Sequence, residues 1–119
     1  DLNFPVKIDV APTVREADGL AMSSRNAYLA PNERAQATVL WRALRSTREM
    51  VRLSPTPIAA GQLKRRVAKL VDGESAARLG YIEFFDPDTL KPIRRVGKGA
   101  QMALAVFFGK TRLIDNARM

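Results

Sequence analysis

Two residue types are missing altogether. No cysteine occurs in the 119 residues, which excludes a disulfide framework and a thiolate metal site. No histidine occurs either. The commonest general base and the commonest metal ligand are therefore both absent, so chemistry done by this chain alone falls to Asp, Glu, Lys or Ser. No apolar run approaches the roughly 20 residues that cross a bilayer. The opening Asp1-Leu2-Asn3-Phe4-Pro5 has neither the basic flank nor the apolar body of a signal peptide. A cytoplasmic protein with no membrane contact is the expectation.

What is present describes a folded domain. Apolar residues make up 46% and charged residues 27% of the chain, which excludes a disordered reading. The length fits one domain with a real core. A net charge of +8 points to an anionic partner: a nucleotide, a nucleic acid or an acidic surface.

Periodicity orders the elements. "PVKIDVA" at 5–11 alternates as a strand with one buried face. From Ala30 to Leu53 the pattern predicts one long helix, with Ala35, Val39, Leu40, Ala43, Leu44 and Val51 on its apolar side and Pro31 at its first position. A second helix is expected from near Pro57 to Asp72-Gly73, with Leu63, Val67, Leu70 and Val71 as its stripe. A short helical piece is expected at 74–79, then strands at 81–85, 101–108 and 111–115, the last two joined by a tight turn at Gly109-Lys110. Helices segregated from antiparallel strands predict an α+β fold, a two-layer sandwich of helices on a small, mainly antiparallel three-stranded sheet. The strand at 5–11 has no local partner and looks like the last strand of another domain.

Candidate chemistry is sparse. "GKT" at 109–111 lacks the glycine a phosphate loop needs five positions earlier, where Leu104 stands, and a strand follows it. It reads as a hairpin turn. Arg45, Arg48 and Arg52 share a helix face, but no aromatic residues interleave with them to stack bases, and a solvated basic face is the simpler reading. Asp86 and Asp88 suit a self-capping turn, whereas for Glu16 and Asp18 structure and function stay equally open. Met22-Ser23-Ser24-Arg25-Asn26 offers two hydroxyls and a guanidinium fork fit for a phosphate chain. The alternative is that Ser23 or Ser24 merely caps a short helix.

Longer segments say more than these spacings. "PTVREADGLAMSSRN" followed by "YL" (Pro12 to Leu29), "YIEFFDPDTLKPI", and "TRLIDN" (Thr111 to Asn116) together resemble the pantothenate synthetase family, the pantoate–β-alanine ligases. The resemblance runs through essentially the whole chain. It implies that residues 1–14 are the last strand and linker of an N-terminal nucleotide-binding domain, and 15–119 a C-terminal α+β lid. It also implies an ATP-dependent ligase. In that family ATP and pantoate form pantoyl adenylate with release of pyrophosphate, and the amine of β-alanine then attacks the activated carbonyl to give pantothenate and AMP. Magnesium accompanies the ATP, and no metal ligand is expected from this chain.

The resemblance assigns residue roles. Val14 matches a position whose backbone bonds the adenine. Met22, Ser23, Ser24 and Arg25 match the loop that grips the ATP phosphates, with Ser23, Ser24 and Arg25 acting catalytically on the developing charge. The family's histidine signature, lysine–aspartate segment and pantoate-binding glutamines belong upstream, so this chain is expected to be inactive alone and to work with the N-terminal domain, in a homodimeric full-length enzyme. Ala30 departs from the hydroxyl residue more usual before the proline. The contrasting expectation is a free-standing basic α+β module that binds nucleic acid or another anionic polymer.

Overall fold

A computed structural model describes residues 13–119. The elements are, in chain order, a 3₁₀ turn (Ser24–Tyr28), α1 (Pro31–Gln36), α2 (Val39–Leu53), β1 (Ile58–Ala59), α3 (Ala60–Asp72), β2 (Ala77–Phe85), β3 (Arg95–Val96), β4 (Gln101–Phe108) and β5 (Thr111–Arg118). The expected strand at 5–11 lies outside the described residues. No helix among the described residues is long and apolar enough to cross a membrane.

β4 is the centre of the sheet because it is apolar on both faces, and it pairs antiparallel with β2 and β5 in the order β2-β4-β5. Its Met102, Leu104, Val106 and Phe108 join Ile82, Phe84 and Leu113 on one face. Leu40, Ala43 and Leu44 of α2 and Leu63, Val67 and Val71 of α3 cover that face as the second layer. The fold is α+β, as the segregation of helices and strands implied. The Gly109-Lys110 turn is a two-residue hairpin whose first central residue has φ 61°, the pattern of a type II′ turn.

Four element expectations need correction. The long helix is two: the ladder slips between α1 and α2, where Leu40 N–H bonds the Ala37 carbonyl at 3.3 Å in place of an i−4 partner. At that break Gln36 turns away to bond Ser75 Oγ and the Ala76 amide, so a tertiary contact overrides the local period. Ala35 is consequently exposed, and Ala37 takes the core position. The second helix starts at Ala60 because Ile58–Ala59 pairs with Arg95–Val96, a two-residue ladder too short to announce itself. The helical piece at 74–79 is a turn leading into β2, which begins at Ala77. Gly80 sits at a register shift in that strand, where a Cβ would come within 3.0 Å of the Ala105 carbonyl oxygen. The last strand runs on to Arg118, past the expected 115.

The polar run before the helices has its own fold. Arg15 and Ala21 form an antiparallel bridge, with Glu16 N–H on the Leu20 carbonyl at 2.7 Å and Met22 N–H on the Val14 carbonyl at 2.9 Å. Gly19 at the bend has φ 95° and lies against Trp41, so close that a Cβ would stand 2.0 Å from the indole Cδ1. After it, Ala30 occupies the N-cap of α1. The Glu33 carboxylate accepts from the Ala30 amide at 2.7 Å, but a methyl group has no acceptor with which to return the bond.

Substitution tests both contacts. Ala30→Ser completes the reciprocal cap and is expected to stabilise the protein by about 0.5–2 kcal/mol, read as a raised urea midpoint; an unchanged midpoint refutes it. Gly19→Ala is expected to cost about 1–3 kcal/mol more than Gly99→Ala. Both glycines have φ above 90°, but only Gly19 has a side chain in the way, so equal losses would discount the indole contact.

Candidate functional site

An ion pair fixes the small hairpin to the sheet. Period-2 alternation in β5 puts Leu113, Asp115 and Ala117 on the covered face, where a lone carboxylate is costly. Arg15 meets it from across the chain, Nη1 to Oδ2 at 2.6 Å and Nη2 to Oδ1 at 3.1 Å. The pair is well shielded, Asp115 being 3% and Arg15 16% exposed at the side chain. Nη1 of Arg15 also donates to the Gly19 carbonyl at 3.1 Å, and the guanidinium lies 4.0 Å from the Trp41 ring centroid. Asp115 Oδ1 accepts from the Asn116 amide at 2.8 Å. The planar fork thus satisfies the carboxylate and the bend together and stacks on the indole, which a lysine could not do.

The loop that follows starts from this fixed base. Asn26 Nδ2 donates to the Ala21 carbonyl at 3.0 Å, tying the 3₁₀ turn back to the hairpin. Asn26 Oδ1 is buried with no hydrogen-bond partner among the described residues. Ser23 caps the turn, its Oγ accepting from the Arg25 amide at 3.1 Å. The cap uses a lone pair and leaves the hydroxyl proton free to donate, so capping and phosphate binding are compatible roles for Ser23. Arg25 Nη1 donates to the Arg112 carbonyl of β5 at 3.3 Å.

All five residues expected from the sequence stand together on this unit. Val14 and Met22 are joined by their backbone bond and are 66% and 54% exposed. Ser23, Ser24 and Arg25 follow, each exposed to solvent. Beneath them lies a cavity of about 110 Å³ walled by Ser23, Arg25, Asn26 and the edge of β5. Beside them an open groove of about 580 Å³ runs between the 3₁₀ turn and the β4–β5 hairpin.

The remaining candidates resolve as structure. Asp18 binds Arg34 through both oxygens, at 2.8 and 3.2 Å, and accepts from the Leu20 amide at 3.3 Å. Arg34 holds its carboxyl below the usual carboxylate range. The balance for that acidic pair therefore falls to structure at Asp18. Asp86 caps the amides of Asp88 and Thr89 at 2.8 and 3.0 Å, and these bonds lower its pKa. Arg48 is half-buried: its Nε donates to the Arg118 carbonyl at 3.1 Å, and burial lowers its pKa. The basic helix face thus loses its middle member, and a nucleic-acid module is not favoured.

Sequence reasoning missed Arg15, Asp115 and Trp41 as one unit. A signal existed, since alternation through "TRLIDNA" sets Asp115 among core positions and so demands a partner. Spacing could not name Arg15, which is 100 residues away.

Comparison with known proteins agrees with this geometry. A family model described as pantoate-beta-alanine ligase matches residues 1–118. The chain is 47% identical over 116 residues to the pantothenate synthetase of Caldicellulosiruptor saccharolyticus, covering 98% of this chain and 41% of that relative. It is 44% identical over 116 residues to that of Moorella thermoacetica, covering 98% and 40%. The crystal structure of pantothenate synthetase from Thermus thermophilus is similar with a TM-score of 0.79 at 38% identity, over 98% of this chain and 41% of that one. The chain therefore spans about two fifths of the length of the relatives it matches. A matched family model across nearly every residue, on a fold whose loop is held by two of the three segments that carry the likeness, places this chain in the pantoate–β-alanine ligase family.

Proposed function

We propose that this chain is the ATP-phosphate-binding, lid-forming C-terminal domain of an ATP-dependent ligase that joins pantoate to β-alanine. The observation that carries the reading is the set of adjacent, exposed Ser23, Ser24 and Arg25 on a loop whose backbone is fixed from below by Arg15, Asp115 and Asn26. Donors held in place before the reaction lose no energy to reorganisation when charge develops.

In this reading residues 1–14 belong to the N-terminal domain and 15–119 to the lid, and the full-length protein is a cytoplasmic homodimer. The exposed faces of Val14 and Met22 offer an apolar edge to the nucleoside, and the Val14 backbone bonds the adenine. One lone pair of the Val14 carbonyl is already engaged by Met22. Ser23 and Ser24 donate hydroxyl protons to phosphate oxygens, and Arg25 presents its fork. As the pantoate carboxylate oxygen bonds to the α-phosphorus and pyrophosphate leaves, these donors stabilise the oxygens that gain charge. The β-alanine amine then forms the amide bond, loses a proton and releases AMP. Magnesium bound with the nucleotide's phosphates would supply further neutralisation of their charge.

The test is Arg25→Ala in the full-length ligase. It is expected to lower kcat for pantothenate formation by about 10²–10³ with little change in Tm, because Arg25 is exposed and its one bond to Arg112 is peripheral. An unchanged kcat removes Arg25 from the reaction. This chain alone, given ATP, pantoate and β-alanine, is expected to yield no pantothenate, and steady product formation would contradict the division of labour.

A further inference from the structure

The Gly109-Lys110 turn is no phosphate loop, yet it brings a lysine to the nucleotide loop by another route. The groove between the 3₁₀ turn and the hairpin is lined by Arg25, Tyr28, Lys110, Thr111 and Arg112. Three of these five are cations and none is an acid. Elsewhere Arg34 meets Asp18, Arg42 meets Glu74 and Lys64 meets Glu83, while other surface cations among the described residues stand unpaired as well; the groove is set apart by gathering three unpaired cations along one wall. The basic groove lined by residues of α2 and α3 also includes Asp72. Arg25, Lys110 and Arg112 form no ion pair among the described residues, so an anion entering the groove meets three cations not already paired with a carboxylate.

The geometry of this wall is fixed. Phe108 pairs with Thr111 across the two-residue turn, and β5 continues as a regular strand. The first turn of α1 abuts the tip, where a Cβ on Gly109 would lie 3.1 Å from Glu33 Oε2. Arg25 is joined to the same strand by its bond to the Arg112 carbonyl, across 87 residues of sequence. The side chains of Lys110 and Arg112 are exposed and take no part in that bond.

The geometry points to Lys110 and Arg112 as the far wall of the polyphosphate site, with Arg25 between them and the serine pair. They bind the terminal phosphates of the nucleoside triphosphate and retain the pyrophosphate as it departs. This rests on the reading of Ser23–Arg25 as the phosphate grip and extends it to residues on a different element. It also makes the hairpin a strut: a polyphosphate held at once by loop and strand ties the edge of the sheet to the nucleotide.

The probe is inorganic pyrophosphate, its binding to the full-length ligase followed by calorimetry. Lys110→Gln and Arg112→Gln are each expected to weaken binding about tenfold, and Arg112→Lys, which keeps the charge but not the fork, to weaken it less. Arg45→Gln, an exposed cation on α2 outside the groove, is expected to change nothing. If Arg25→Gln weakens pyrophosphate binding and both hairpin variants do not, the hairpin assignment is wrong while the loop reading stands. If the unaltered enzyme binds no pyrophosphate, or none of the three changes alters binding, both fall. Unchanged thermal melting of each variant confirms that folding is not what is being measured.

Discussion

The candidate site depends on one shielded ion pair. Arg15 and Asp115 come from opposite ends of the described chain, and their meeting converts a polar run with no regular period into a fixed part of the sheet edge. Such pairs contribute little net stability relative to apolar packing, because each charge loses its hydration. Breaking one partner is another matter, since it strands a charge at a cost of about 3–5 kcal/mol. The pair is therefore better understood as a device for specificity: it allows one register of hairpin against strand, and the carboxylate, the Gly19 carbonyl and the Trp41 face all impose the same one.

From that fixed point the geometry propagates over a short distance. Asn26 reaches back to Ala21 and sets the pitch of the 3₁₀ turn; Ser23 closes the turn's first bond; Arg25 leans on β5. None of these contacts consumes the hydroxyl protons of Ser23 and Ser24. In the proposed reading, structural and ligand-facing roles are divided within single side chains, so that a loop of exposed polar residues is held firmly enough to act on charge.

The layers of the fold were legible because they rest on period. The stripes of α2 and α3, the unbroken apolar run of β4 and the alternation of β5 follow from which residues avoid water, and these need no knowledge of partners. The errors fall where a tertiary contact overrules the local pattern. Gln36 is drawn to Ser75 and Ala76 and the helix breaks; Ile58–Ala59 finds Arg95–Val96 and the next helix starts late. The candidate site was legible only in part. Family likeness singled out Val14 and Met22 to Arg25, which the fold brings together, and residue chemistry anticipated the Ser23 cap. The clamp beneath them was not, because alternation marks Asp115 as needing a cation without saying which of many would supply it.

The most direct test of the central claim is amide hydrogen exchange in the Asp115→Asn protein. If the ion pair holds the hairpin, protection at Glu16 and Met22, whose amides bond Leu20 and Val14, falls by at least about tenfold more than at Leu104 in the central strand. An equal fall at all three positions, or no fall at Glu16 and Met22, would show that the hairpin keeps its place without the pair.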